Sequence, residues 1–168
     1  EVPFLRSKKN ARDTSTNYDV VLEFVNKIGL IQKNLPKYIM FLLPTTPFRK
    51  LKIINQAINK IKKLKNYDSL ASVNKMTEPV HKKFFIKNRK LKPIFEKMTI
   101  EDANRPRQTF PPSYTFNGYL YIFKTTNILK KNLGKKCFPF IVEKTIDIDN
   151  KSDLEFARYT AKKIPKIT

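Results

Sequence analysis

The sequence predicts a three-layer α/β domain with a β-rich excursion, and three observations carry that prediction. Helical and strand patterns alternate between residues 13 and 74. The strand patterns there are short continuous apolar runs, as in strands covered on both faces. From about residue 81 to 124 that rhythm gives way to hairpin and proline-rich β patterns.

The elements follow in chain order. "DTSTNYDVVLEFVNKIGL" opens with capping-type residues, with Asp13 or Thr14 as the cap. It continues with Val21, Phe24, Val25 and Ile28 at i, i+3, i+4, i+7 spacing, which predicts a helix ending near Gly29. "KYIMFLLP" (37–44) is a buried strand, and "TTPFRKLKIINQAINKIKKLK" is a helix with Thr46 as N-cap and Pro47 at the first position. "SLASVN" (69–74) is a second buried strand, so the order predicts a largely parallel sheet. "HKKFFIKNRKLKPIF" (81–95) reads as a hairpin turning near Asn88-Arg89. A proline-rich loop then feeds a strand around Tyr119 to Phe123, followed by a short helix at about 126–132. The apolar "CFPFIVE" precedes a final helix, opened by a Ser152-x-x-Glu155 capping box.

With 168 residues, 40% hydrophobic and 12% aromatic, the chain is long and apolar enough for one packed domain. No apolar run approaches the ~20 residues of a membrane span, and no signal-peptide pattern opens the chain. A single cysteine, Cys137, excludes an internal disulfide and fits a reducing, cytoplasmic compartment, where it simply packs. The formal charge is +21, from 35 basic against 14 acidic residues. Such a balance points to a polyanion, and a basic nucleic-acid-binding module is one reading. Lysine in excess over arginine, beside abundant Asn and Ile, fits AT-rich codon usage equally well, and "NKIKKLKN" reads as the wet side of an amphipathic helix.

Chemistry-bearing residues stand out against this background. In "TIDIDN", Asp147 and Asp149 lie two apart, which on a strand places both carboxylates on one face. Two like charges there need a cation, and Mg²⁺ takes one or two carboxylates together with substrate phosphates. Capping of the helix after Asn150, or pairing with nearby lysines, accounts for the same residues. "LLPTTPFR" joins a strand end, a turn and a helix N-terminus, where open α/β sheets bind ligands and anions are favoured. Arg49 in it reads equally as an anion contact or as a solvated helix-start residue. Arg107 offers a planar fork for a carboxylate. Gln108, Asn117 and Tyr121 offer neutral hydrogen bonds, although Asn117-Gly118 is also turn chemistry. Phe138 and Phe140 read as core. Lys82 sits among other lysines, and His81 reads as surface or hairpin filler.

Four stretches in order, "FLRSKKNARDTSTNYDVVLEF", "FLLPTTPFR", "PRQTFPPSYTFNGYLYI" and "IDIDNKSDLEFA", resemble the CMP-sialic acid synthetases (acylneuraminate cytidylyltransferases) over nearly the whole chain. The resemblance implies a Rossmann-like nucleotide-diphospho-sugar transferase α/β/α sandwich, a homodimer through the β-rich insertion at about 81–124, and no nucleic-acid or membrane partner. It implies transfer from CTP to a nonulosonic acid, with release of pyrophosphate; another acidic sugar is the alternative. It assigns Mg²⁺ to Asp147 and Asp149 as the catalytic pair, and cytidine to Arg6, Ser15 and Asn17. The acceptor falls to Arg107, Gln108, Asn117 and Tyr121, with Phe138 and Phe140 shaping the pocket across the dimer. Leu43 stands where the family commonly has a sugar-contacting glutamine, and Thr115 where it has an arginine. The family's basic, glycine-containing phosphate loop has no counterpart here, which implies an N-terminally truncated piece that is inactive alone.

Overall fold

A computed structural model describes residues 3–129 and 134–163. Its elements are α1 (Asn17–Ile31), β1 (Tyr38–Phe41), α2 (Leu51–Lys63), β2 (Ser69–Lys75), β3 (Phe84–Lys87), β4 (Lys90–Pro93), α3 (Ile100–Asn104), β5 (Tyr114–Lys124), α4 (Thr125–Leu129), β6 (Cys137–Ile141) and α5 (Lys151–Lys163). Residues 130–132 of the expected short helix lie outside the described residues.

Four strands form one sheet in the order β1-β5-β2-β6. β5 is antiparallel to both β1 and β2, whereas β2 and β6 are parallel. The sheet is therefore mixed rather than largely parallel. The crossover through α2 makes β1 and β2 run the same way, as the helix–strand alternation implies. β5 arrives after the excursion, without a crossover helix, and slots between them reversed.

Helices cover both faces of the sheet. On one, Ala57 and Ile61 of α2 pack with Leu70, Leu120 and Ile122. On the other, Val21 and Val25 of α1 and Ile128 of α4 pack with Ile39 and Phe123. Alternate residues of β5 thus feed opposite cores, as the period of a strand requires. Strand β2 is buried along both faces from Ser69 to Asn74, matching its unbroken apolar pattern.

Helix starts differ in detail from expectation. Thr16, not Asp13 or Thr14, caps α1, in a capping box with Asp19. α1 runs two residues past Gly29, to Ile31. Thr46 does not cap α2, which begins five residues later behind Lys50 with no side-chain cap. At α5 the box is formed by Asn150 and Asp153 rather than Ser152 and Glu155: Asp153 N–H donates to Asn150 Oδ1 (3.0 Å), and Asn150 N–H donates to Asp153 Oδ2 (3.2 Å).

The hairpin β3–β4 turns at Asn88 and Arg89, with φ of 52° and 60°. A two-residue turn with both φ positive matches the twist of the flanking strands, and Asn tolerates it well. The sole histidine joins this arm to the body. His81 stacks between Phe95 and Phe110, with ring centroids 4.5 and 5.2 Å away, and Arg105 lies over the Phe110 ring. It is an interlayer and not hairpin filler.

Candidate functional site at the carboxyl end of the sheet

The carboxyl ends of β1, β2 and β6 lie at one pole, together with the start of β5. Strand order places β1 beside β5 and β6 beyond β2, and hydrogen bonds then lock the segments after β1 and β6 together. Ile148 N–H donates to Thr45 O (2.9 Å), and the Thr46 hydroxyl donates to Asp147 Oδ1 (3.3 Å). Thr46 has no exposed surface at all, so its hydroxyl is committed to a residue 101 positions away.

Between them lies an irregular stretch of β5. Pairing with β2 jumps from Ala71↔Tyr121 to Val73↔Phe116, so β2 advances two residues while β5 advances five. The surplus at 117–119 is held by the Ser72 hydroxyl, which accepts from Leu120 N–H (2.9 Å), and by Asn117 Oδ1, which accepts from Tyr119 N–H (3.2 Å). Gly118 sits there at φ +67°, and a Cβ on it would lie 2.8 Å from Thr46 Oγ1 and 3.5 Å from Asp147 Oδ2. Only glycine takes that φ without strain while letting the backbone pass so close. Asn117-Gly118 is thus a bulge inside a strand and not a chain turn.

Arg49 is neither a solvated residue nor a free anion contact. Its Nε donates to Tyr119 O (2.6 Å), and Nη2 donates to Leu43 O (2.6 Å) and Gly118 O (3.2 Å). The planar guanidinium thereby gathers three carbonyls from the β1 exit and the β5 bulge. Burial lowers its pKa, while Tyr119 and Asp147 pull it back up.

The two aspartates do not share a strand. Residues 142–149 form no strand, so alternation places no constraint on their side chains. Asp147 is half-buried and lines a cavity of about 350 Å³ with Asn74, Glu78, Lys83, Asn117 and Lys144. Asp149 is exposed, and its N–H donates to Asp153 Oδ2 in the cap of α5 (3.1 Å). Asn117 is 7% exposed, and its Nδ2 is a buried donor with no partner. Such a group is costly unless something with an acceptor occupies the adjoining space.

A second cavity, of about 590 Å³, holds Arg107, Gln108 and Phe110, and shares Lys75, Met76 and Thr77 with the first. Together they form one trough from Arg107 to Asp147. Tyr121 is half-buried beside it; burial, then the charge of Asp147, raise its phenol pKa.

The other expected residues are not gathered there. Ser15 lines a separate cavity of about 650 Å³ on α1, where its hydroxyl donates to Lys9 O (3.2 Å). Arg6 and Asn17 are exposed. Phe138 and Phe140 are half-buried against the α2-side core, with Phe138 edge-on to Tyr67. Lys82 is engaged elsewhere, its ammonium donating to Arg105 O (2.7 Å). The roles of Thr46, Arg49 and Gly118 depend largely on partners distant in the chain, 101 residues away for Thr46 and 69 and 70 for Arg49, which local reading does not see. The strand-end position of "LLPTTPFR" is the one signal that marked the place.

The donor set suits a hard divalent cation of the Mg²⁺ kind. Asp147 accepts one weak hydrogen bond and makes no ion pair. No group of three His, Cys, Asp or Glu side chains exists among the described residues to form an all-protein cage. One or two carboxylates completed by a ligand's own oxygens is the usual arrangement for Mg²⁺.

A mixed sheet flanked by helices on both faces, with a polar trough at its carboxyl pole, is a Rossmann-like α/β arrangement. Among solved structures the chain is similar to CMP:2-keto-3-deoxy-manno-octonic acid synthetase complexed with CTP, with a TM-score of 0.56 and 12% identity over 90% of this chain and 70% of that one. No protein-family model matches the chain. No curated protein matches it either.

Proposed function

We propose that the protein is an Mg²⁺-dependent cytidylyltransferase that joins CMP from CTP to an acidic sugar of the nonulosonic type. The observation that carries this reading is the pairing, in one cavity, of the half-buried, unpaired Asp147 with the orphaned amide donor of Asn117. The two groups face one space, and a ligand with an anionic or metal-bound oxygen there would satisfy both. The solved neighbour supports the substrate class, since it is a CMP–sugar acid synthetase complexed with CTP.

In the proposed reaction the sugar's anomeric hydroxyl oxygen bonds to the α-phosphorus of CTP while its proton passes to solvent water, and the bond to pyrophosphate breaks. Asp147, aided by Asp149, would hold Mg²⁺; when bound, the ion offsets negative charge on the phosphoryl oxygens. Thr46 and Gly118 fix where the Asp147 carboxylate stands. Asn117 Nδ2 donates to a hydroxyl or carbonyl of the acceptor. Arg107 and Gln108, farther along the trough, bind the acceptor's other polar groups, and Tyr121 keeps its phenol proton as a donor. Arg6, Ser15 and Asn17 are proposed for the cytidine.

Homodimerisation is proposed through the excursion. Phe85, Ile86 and Leu91 on the hairpin, with Phe116 on β5, are exposed large apolar side chains, which a partner copy would cover. Phe138 and Phe140 would belong to the pocket only across such a dimer.

The test is pyrophosphate release from CTP and Mg²⁺ by the protein from its full reading frame, with eight- and nine-carbon 2-keto sugar acids offered separately. Release that requires a sugar acid supports the reading, and the preferred chain length names the substrate. Absence of release with every sugar acid, from folded protein, overturns it.

A further inference from the structure

We infer that the pole of the sheet opposite the trough is a peripheral docking surface for a membrane leaflet rich in anionic lipid. The segments that enter β1, β2 and β6 and leave β5 meet there, and hydrogen bonds knit them together. Asp68 N–H donates to Lys136 O (2.8 Å), Lys124 N–H donates to Asp68 O (3.1 Å), and Thr125 N–H donates to Lys37 O (3.2 Å). Residues 30–37, 62–68, 124–129 and 134–137 together carry eight lysines, one acid, Asp68, and no arginine. The Asp68 carboxylate is occupied by backbone, accepting from Lys135 N–H (3.0 Å) and Lys136 N–H (3.1 Å). None of the eight lysines is in an ion pair among the described residues. Lys65, Lys124, Lys135 and Lys136 ring a cavity of about 460 Å³ around Asp68. Charge is thus segregated, since the trough pole sets Glu78, Glu143 and Asp147 among its lysines. Codon bias adds lysine everywhere, but it does not empty one pole of acids.

A second observation selects the partner. Leu30 and Ile31 end α1 on the approach to β1, and they are 89% and 60% exposed; Leu35 and Leu129 are exposed as well. Bare aliphatic side chains among unpaired lysines mark an interaction surface. A lipid leaflet answers both features, because aliphatic tips enter the headgroup–acyl boundary while ammonium groups stay with the lipid phosphates. A nucleic acid answers only the charge, since it is held by arginine and by exposed rings on which bases stack. The one aromatic ring of these segments, Tyr67, is half-buried and edge-on to Phe138. The contact is peripheral: no helix among the described residues is long and apolar enough to cross a membrane. The family resemblance implies no membrane partner, and this surface departs from it. The inference stands apart from the cytidylyltransferase reading and leaves the trough facing away from the leaflet. It also leaves free the excursion proposed for the dimer, which follows the carboxyl end of β2.

Co-sedimentation with vesicles tests this, using the protein from its full reading frame. The vesicles are phosphatidylcholine alone, or phosphatidylcholine mixed with phosphatidylglycerol. Binding is expected to the mixed vesicles only, and to weaken as salt is raised. The combined variant Lys65→Gln, Lys135→Gln, Lys136→Gln is expected to weaken it on the order of a hundredfold. Leu30→Ser with Ile31→Ser is expected to weaken it about tenfold. Lys87→Gln, Lys90→Gln and Lys92→Gln together, on the hairpin, should leave it within about twofold. All the substituted side chains are exposed, so the variants keep the fold, which far-UV circular dichroism checks. The surface is overturned if the mixed vesicles do not bind, if either pole variant binds as wild type does, or if the hairpin variant loses as much. Pole variants that lose binding to a duplex RNA but keep the vesicles overturn it in favour of nucleic acid. Vesicle binding without any pyrophosphate release sinks the enzyme reading alone, and release without vesicle binding sinks the surface alone.

Discussion

Two carboxylates show what separates a structural polar cluster from a functional one. Glu23 on α1 accepts from Ser7 N–H (2.7 Å), Ser7 Oγ (2.8 Å) and Asn10 Nδ2 (2.6 Å), and pairs with Lys27 (2.6 Å). Lys27 first, then Ser7, hold its carboxyl down to about 2. Asp147 accepts from Thr46 alone, keeps an unpaired charge, and shares its cavity with an orphaned amide. Both clusters border sizeable concavities, about 650 Å³ at Glu23 and about 350 Å³ at Asp147, the latter adjoining the Arg107 cavity. Size does not distinguish them, but hydrogen-bonding capacity does. The filled cluster docks the N-terminal segment on α1, and the unfilled one has room for a ligand.

The contrast breaks most readily at Asp147. Asp147→Ala is expected to lower kcat for pyrophosphate release on the order of 10³-fold, and to lower stability by about 1 kcal/mol because the buried Thr46 hydroxyl loses its acceptor. Glu23→Gln should leave kcat near wild type, and equal losses in both variants would erase the distinction. Arg49→Met removes the fork that gathers three carbonyls, and is expected to cost about 3 kcal/mol of stability in urea unfolding. Arg49→Lys should recover only part of that loss, because an ammonium cannot span all three acceptors. Gly118→Ala meets both the φ of +67° and the Thr46 hydroxyl, and is expected to cost about 2 kcal/mol. An unchanged urea midpoint would show that the bulge is not held as described.

The smallest effect is a pH window at Glu23. Its folded-state pKa is depressed from 4.5 to about 2, so its contribution is fully present above pH 4.5 and fades as pH falls toward 2. The stability gap between wild type and Glu23→Gln should therefore close over that interval. A gap that stays constant down to pH 2 would count against the ionised network.

Much of this architecture is legible in local patterns. The hairpin turn at Asn88-Arg89, the two-sided burial of β2 and the amphipathic stripes of α1 and α2 each depend on residues close in sequence. What escaped local reading depends on distant partners. Thr46-Pro47 carries the signature of a helix start, yet the Thr46 hydroxyl is spent on Asp147 and the helix waits until Leu51. The aspartates alternate with isoleucines as in a strand, yet their segment is tied down by the Thr45 carbonyl rather than by a ladder. Asn117-Gly118 has the sequence of a chain turn yet forms a bulge, because a bulge uses the same left-handed conformation at glycine as a turn. Of the candidate site, Asp147 and Asn117 share one cavity, Arg107 and Gln108 the adjoining one, and Arg6, Ser15 and Asn17 lie elsewhere.

The three surplus residues of β5 have one more consequence. Because their number is odd, they shift the phase of the strand: Phe116 and Tyr121, of opposite parity in sequence, come to one side of the sheet and touch at 5.9 Å. Upstream and downstream halves of β5 are thus written in antiphase. A single-residue deletion between Asn117 and Tyr119 would restore the phase, and would send Phe116 and every residue before it through to the opposite side. Length changes at this point are tolerable only in pairs.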